Sequence, residues 1–160
     1  MKVIKLFFAA LAMTFAMNAS AEKFFNGKFI ADVKGGITSP GSLGAWGVGV
    51  GYEKNLNSWL AWDVLNVDFT DTFKNAGDGI QIGVKTGLRG FTKSFWGDNW
   101  RGYANLGGGY TFLKAGSRSA FGMVIGAGLQ LKEKVSLGYS FQFETAGESK
   151  GHFFTVGYAF

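Results

Sequence analysis

Cysteine is absent from this 160-residue chain, and proline and histidine each occur once. Without cysteine there is no disulfide to staple a small fold and no site for a lipid-modified N-terminal cysteine. One histidine, no cysteine and no Asp-x-Asp-x-Asp loop leave no donor set for zinc or calcium, so neither metal nor cofactor is expected. Long apolar runs are also lacking. The one candidate, Leu6 to Met17, is far shorter than the about 20 residues a membrane-crossing helix needs. It follows Lys2 and Lys5 and precedes Ala19-Ser20-Ala21, which puts small residues, Ala19 and Ala21, at the positions a signal peptidase reads. Residues 1–21 therefore read as a secretory signal peptide cleaved before Glu22. Removing those 21 residues from 160 leaves 139, a single domain over 22–160. Charge of one sign is scarce too. The formal +5 includes Lys2 and Lys5, so the remainder carries about +3, evenly spread, and nucleic acid is not an expected partner.

Glycine and aromatic residues are abundant: 26 Gly, and 17% Phe, Trp and Tyr. Disordered chains are poor in aromatics, and collagen needs a strict three-residue period that is missing here. No helical periodicity of useful length follows Ala21. Alternation with a period of two recurs instead, as in β-strands. Ala45 to Lys54 sets Trp46, Val48, Val50 and Tyr52 against Gly47, Gly49 and Gly51. Ile80 to Leu88 sets Ile80, Ile82, Val84 and Leu88 against Gln81, Gly83, Lys85 and Gly87, with Arg89 continuing the second series. Thr86 is the only polar group on the apolar side. Phe121 to Leu131 and Val135 to Glu144 alternate as cleanly, and His152 to Phe160 closes the chain with His152, Phe154, Val156, Tyr158 and Phe160 on one face. Phe29 to Gly35 and Trp100 to Phe112 are weaker strands. Trp59 to Phe69 changes phase, from Leu60, Trp62 and Val64 to Leu65, Val67 and Phe69, which predicts a β-bulge near Val64-Leu65. Gly47-x-Gly49-x-Gly51 and Gly107-Gly108-Gly109 are not phosphate loops, because no helix follows them.

The direction of the two faces decides the class. In the cleaner strands the bulky apolar series holds no Asp, Glu, Lys or Arg, while the other series is Gly, Ser, Gln and the charges. Gly and Ser cannot fill a soluble core. Turned outward, the apolar series meets lipid and the small polar series lines a narrow lumen. Backbone closure into a barrel leaves no unpaired edge in hydrocarbon. The eight segments predict an all-β, eight-stranded antiparallel up-and-down transmembrane β-barrel. Each segment is about as long as the 9–11 residues a tilted crossing requires. Aromatics sort into two belts. Tyr52, Trp59, Trp100, Tyr158 and Phe160 fall at the periplasmic side. Trp46, Phe69, Tyr110, Phe112, Phe121, Phe143 and Phe154 fall at the outer side. Outer connections are expected over 38–43, 70–79, 113–119 and 146–151, with periplasmic turns at 55–58, 132–134 and, longer, 91–99, where Phe91, Phe95 and Trp96 are expected in the headgroup layer.

The last residues, Phe154-Thr155-Val156-Gly157-Tyr158-Ala159-Phe160, resemble the C-terminal insertion signal of bacterial outer-membrane barrels. The whole of 22–160 is similar to the small eight-stranded barrels of the OmpA/OmpX type. The resemblance implies integral location in the outer membrane of a Gram-negative-type bacterium. It also implies recognition of Val156, Tyr158 and Phe160 by the barrel-assembly machinery, and a monomer surrounded by outer-membrane lipid and lipopolysaccharide. The peptidoglycan-binding domain of full-length OmpA proteins is expected to be missing. Two enzyme families use such barrels. The lipid A deacylases place His and Ser two residues apart, whereas the neighbours of His152 at that spacing are Lys150 and Phe154. The palmitoyltransferase barrels carry His, Asp and Ser near the outer loops, where Ser149, Glu148 and Glu144 are the only company for His152, and the bland reading is an interfacial histidine. No catalytic residues are therefore assigned. Asp32, Lys34, Asp63, Lys85, Arg89, Arg101 and Glu144 are expected inside as a paired polar network, since buried charges are costly unpaired. The function expected is a non-enzymatic barrel with a structural or surface-interaction role in the envelope. The alternatives are a narrow, porin-like channel or hydrophobic-ligand barrel, and then a lipid A-modifying enzyme.

Overall fold

A computed structural model describes residues 27–39, 43–73, 80–113, 118–144 and 150–160. The signal peptide, its cleavage residues Ala19 and Ala21, and most of the outer connections lie outside these. Eight strands form one closed antiparallel barrel in chain order: β1 Gly27–Ser39, β2 Leu43–Asn55, β3 Leu60–Thr72, β4 Gln81–Phe91, β5 Trp100–Leu113, β6 Arg118–Leu131, β7 Val135–Glu144 and β8 Lys150–Ala159. β8 pairs with β1, from Ile30↔Ala159 to Ser39↔Lys150, so no strand edge is left open. Several strands run beyond their expected limits into the outer connections. β1 continues to Ser39, β3 to Thr72, and β6 begins at Arg118.

Alternation translates directly into two environments. Val33, Leu65, Val84, Leu88, Leu106, Ile125, Leu129, Leu137 and Val156 all point outward and are exposed. Their neighbours one residue along point inward. Few apolar side chains are fully buried, and Lys34, Glu53, Asp68, Lys85, Gln130 and Glu144 are buried with them. The interior is polar and the surface apolar, the reverse of a soluble barrel.

The bulge falls where the phase change puts it. Tyr52 pairs with Leu65 and Glu53 with Asp63, so Val64 is the extra residue against β2, and the same slip appears against β4 between Asp63 and Asn66. Thr86, opposite the slip, faces outward. Its hydroxyl donates to the Asp63 carbonyl at 2.9 Å, and the Trp62 indole N–H donates to its oxygen at 3.0 Å. The one polar group on that lipid-facing series thus satisfies a carbonyl that the bulge takes out of the ladder.

Two of the belt assignments change. Phe91 is the last residue of β4 on its inward side, with Arg101 3.8 Å and Lys28 5.9 Å from its ring centre. It is a lumen residue, and only Phe95 and Trp96 of that group lie in the turn. Phe154 is the fifth residue of β8 and pairs with Tyr139, nearer mid-strand than the outer rim. The longer turn is held by a Phe95↔Trp100 bridge and passes through positive φ at Trp96, Gly97 and Asp98. The β6–β7 turn places Lys132 and Glu133 at positive φ, closed by Lys134 N–H donating to the Leu131 carbonyl, the type I′ geometry that suits a strand twist.

Candidate functional site: the lumen

The inward side chains form two ion-pair clusters and a crossbar. In the first, Asp68 of β3 takes Lys34 of β1 on one oxygen and Lys85 of β4 on the other, the latter at 2.9 Å. In the second, Glu53 of β2 holds Lys28 at 3.0 Å and Arg89 at 2.9 Å, and Arg89 reaches Asp63 at 3.6 Å. Both clusters stand on the β1–β4 half of the wall. The opposite half supplies mostly neutral groups: Tyr103, Asn105, Ser136, Ser140, Gln142 and Thr155. Lys85 spans the gap, donating to Gln142 Oε1 at 3.1 Å. Arg89 lies over the Tyr103 ring, 5.2 Å from its centre, and Lys34 lies 5.4 Å from that of Phe153. Toward the turn end Arg101 donates to Gln130 at 2.8 Å and approaches Glu133 at 3.4 Å.

All seven residues expected in the lumen lie inside. Lys34 and Lys85 belong to the first cluster, Asp63 and Arg89 to the second, and Arg101 to the rim. Asp32 sits in the cavity wall between the clusters, and Glu144 is buried beside a second cavity toward the outer end. The two residues that organise the clusters, Asp68 and Glu53, were not singled out from sequence. The signal was present. Asp68 alternates with Val67 and Phe69, and Glu53 continues the Gly47-Gly49-Gly51 parity.

Inward glycines have two duties. Some give large side chains a seat: a Cβ on Gly49 would lie 2.6 Å from the Asp32 carboxylate, and one on Gly83 2.5 Å from that of Asp68. Others let neighbouring backbones close up in a tightly curved sheet. A Cβ on Gly128 would lie 2.2 Å from the Leu137 carbonyl oxygen. The space left is small. A cavity of about 100 Å³ lies among the clusters and a second of about 20 Å³ lies beyond, with Lys85 and Gln142 lining both. The larger has room for roughly three waters at liquid density.

His152 lies on the opposite surface. It is exposed, and the Tyr139 hydroxyl shares a hydrogen bond with its Nδ1. Glu144 is buried on the inward side and does not accompany it. Ser149 and Glu148 lie outside the described residues.

No family model matches the sequence. No curated protein matches it either. Solved structures do. The outer membrane enzyme PagL is 16% identical, with 81% of this chain and 97% of that chain covered at a TM-score of 0.60. Neisserial surface protein A is 15% identical, with 84% and 96% covered at 0.58. A de novo designed transmembrane β-barrel is 11% identical, with 83% and 95% covered at 0.51. An enzyme, a surface protein and a designed scaffold share this architecture, so the likeness identifies the fold and leaves the task open. With its apolar outward face, the chain has the fold of the small eight-stranded outer-membrane β-barrels.

Proposed function

We propose that the protein is a non-enzymatic structural barrel of the envelope whose lumen is closed to ions. The observation that carries this reading is the crossbar. Lys85, held by Asp68 on its own side, reaches Gln142 on the far wall and separates the two cavities. An eight-stranded barrel encloses little more than its own side chains, and here they are bonded to one another. A charge moved through this lumen has to break an ion pair without bulk water to replace it. The non-enzymatic part is supported by the placement of His152, which faces outward and, among the described residues, is bonded to an aromatic hydroxyl rather than a carboxylate.

Planar-bilayer recording of the refolded protein tests closure. The expected trace has no steady ohmic steps, and Lys85→Ala, which removes the crossbar, introduces them. Stable steps from the unaltered protein would overturn the reading in favour of a narrow channel. Mass spectra of lipid A from cells with and without the protein test the enzymatic alternative, and identical spectra are expected.

A further inference from the structure

A column of rings runs down the outside of β7 and β8. Phe141 and Phe143 stack at 5.6 Å, Phe141 and His152 meet at 4.8 Å, His152 and Tyr139 at 6.0 Å, and Tyr139 and Phe154 at 5.6 Å between ring centres. Interfacial aromatic girdles circle a barrel at one depth. This column instead follows the strand direction. From Phe143 to Tyr139 is four residues, about 13 Å of strand, and Phe154, 73% exposed, sits beside Tyr139 at the lower end. At its upper end Lys150, the first residue of β8, is exposed and pairs in register with Phe143. Among the described residues Lys150 meets no carboxylate, and the second ring nitrogen of His152, Nε2, has no hydrogen-bond partner among them either. A polar ring nitrogen on a lipid-facing strand calls for a hydrogen-bond partner from outside the chain.

We propose that this strip binds one phosphate-bearing membrane lipid, its phosphate held by Lys150 and His152 and an acyl chain lying down the rings to Phe154. The chemistry is complementary along its length. A cation and a ring nitrogen stand at the headgroup level, where charge-assisted bonds to phosphate are strong. Phe143 and Phe141 lie level with them and Tyr139 and Phe154 one register step below, an aromatic track for the upper part of an acyl chain. The site depends on β7 and β8 facing lipid and does not depend on whether the lumen is closed.

The single histidine makes the test direct. Tag-free protein carrying ¹⁵N-histidine, folded in dodecyl maltoside micelles, shows one imidazole. Titration with phosphatidylglycerol should move that resonance saturably. A neutral diacyl glycolipid of the same chains, and inorganic phosphate alone, should leave it in place. Lys150→Ala should weaken the response about tenfold, the factor for one good charged contact. Lys150→Arg should restore it, and Phe154→Ala should weaken it where Phe121→Ala, on β6, does not. Resistance to SDS without heating confirms that each variant is folded. The proposal is overturned by no saturable shift, by an equal response to the neutral lipid, or by one reproduced with inorganic phosphate. A shift that follows protein concentration without lipid, meaning a second copy occupies the strip, also overturns it.

Discussion

Asp68 is the residue on which the first cluster depends. It is buried and neutralises two lysines, which would otherwise face each other without that shared counter-charge. Removing one partner of a buried ion pair leaves an uncompensated charge, so Asp68→Ala should cost about 3–5 kcal/mol. Urea unfolding in lipid vesicles measures this. Lys34→Met in the same chain should recover part of the loss, because only one lysine then lacks an anion. Glycine gives a second contrast at single-residue scale. Gly128→Ala has to push the β7 backbone away, which should cost roughly 1–3 kcal/mol. Gly35, whose added Cβ meets nothing within 4 Å, should accept alanine with little change in the same assay. The comparison separates glycines that the curvature demands from those that only face lipid.

At the scale of the strand, β3 shows what one residue can do. The extra residue at Val64 lets both Asp63 and Asp68 point inward although they are an odd number of positions apart. Because strand side chains alternate, losing that residue would turn one of the two segments over. This is why the phase change could be read from sequence. Leu60-x-Trp62 and Leu65-x-Val67-x-Phe69 cannot share a face without it. The same parity placed the seven lumen charges but could not say which would meet. Contact between Glu53 and Arg89 depends on register across β2, β3 and β4, and the pattern of one strand does not contain that register. Phe91 was misplaced for a related reason. A lone aromatic at a strand end reads as an interfacial anchor, and only the cations at Lys28 and Arg101 show that it faces inward. Two substitutions test the face assignment. Val84→Arg should destabilise by about 2–4 kcal/mol, the cost of a charge toward mid-bilayer. Thr86→Val should cost about 1–3 kcal/mol by stranding the Asp63 carbonyl. A near-neutral Val84→Arg in vesicle unfolding would mean the faces are reversed.

For the whole barrel, closure is the condition on which the rest depends. Among the described side chains that face the lumen, Lys28, Lys34, Lys85, Arg89 and Arg101 stand against Asp32, Glu53, Asp63, Asp68 and Glu144. That arrangement exists only when β1 carries its lysines to β3 and β2, and β1 is held on its other side by β8 alone. The end of that seam is Phe160, whose N–H donates to the Phe29 carbonyl at 2.8 Å while its ring packs edge-on against Tyr158 at 5.1 Å. Phe29 in turn meets Tyr52 of β2 at 5.1 Å, so the last residue of the chain is tied through β1 to the next strand. Deleting Phe160 removes a backbone bond at a position where an unpaired carbonyl would face the membrane interface, together with one ring of a packed pair. The expected outcome is a marked fall in the fraction of chains reaching the heat-modifiable, SDS-resistant form, both in cells and on refolding into vesicles. Deleting Ala146, in the β7–β8 connection, should leave that fraction nearly unchanged. A defect seen in cells but absent from refolding would assign Phe160 to recognition during assembly. A defect of equal size in both would assign it to the stability of the seam.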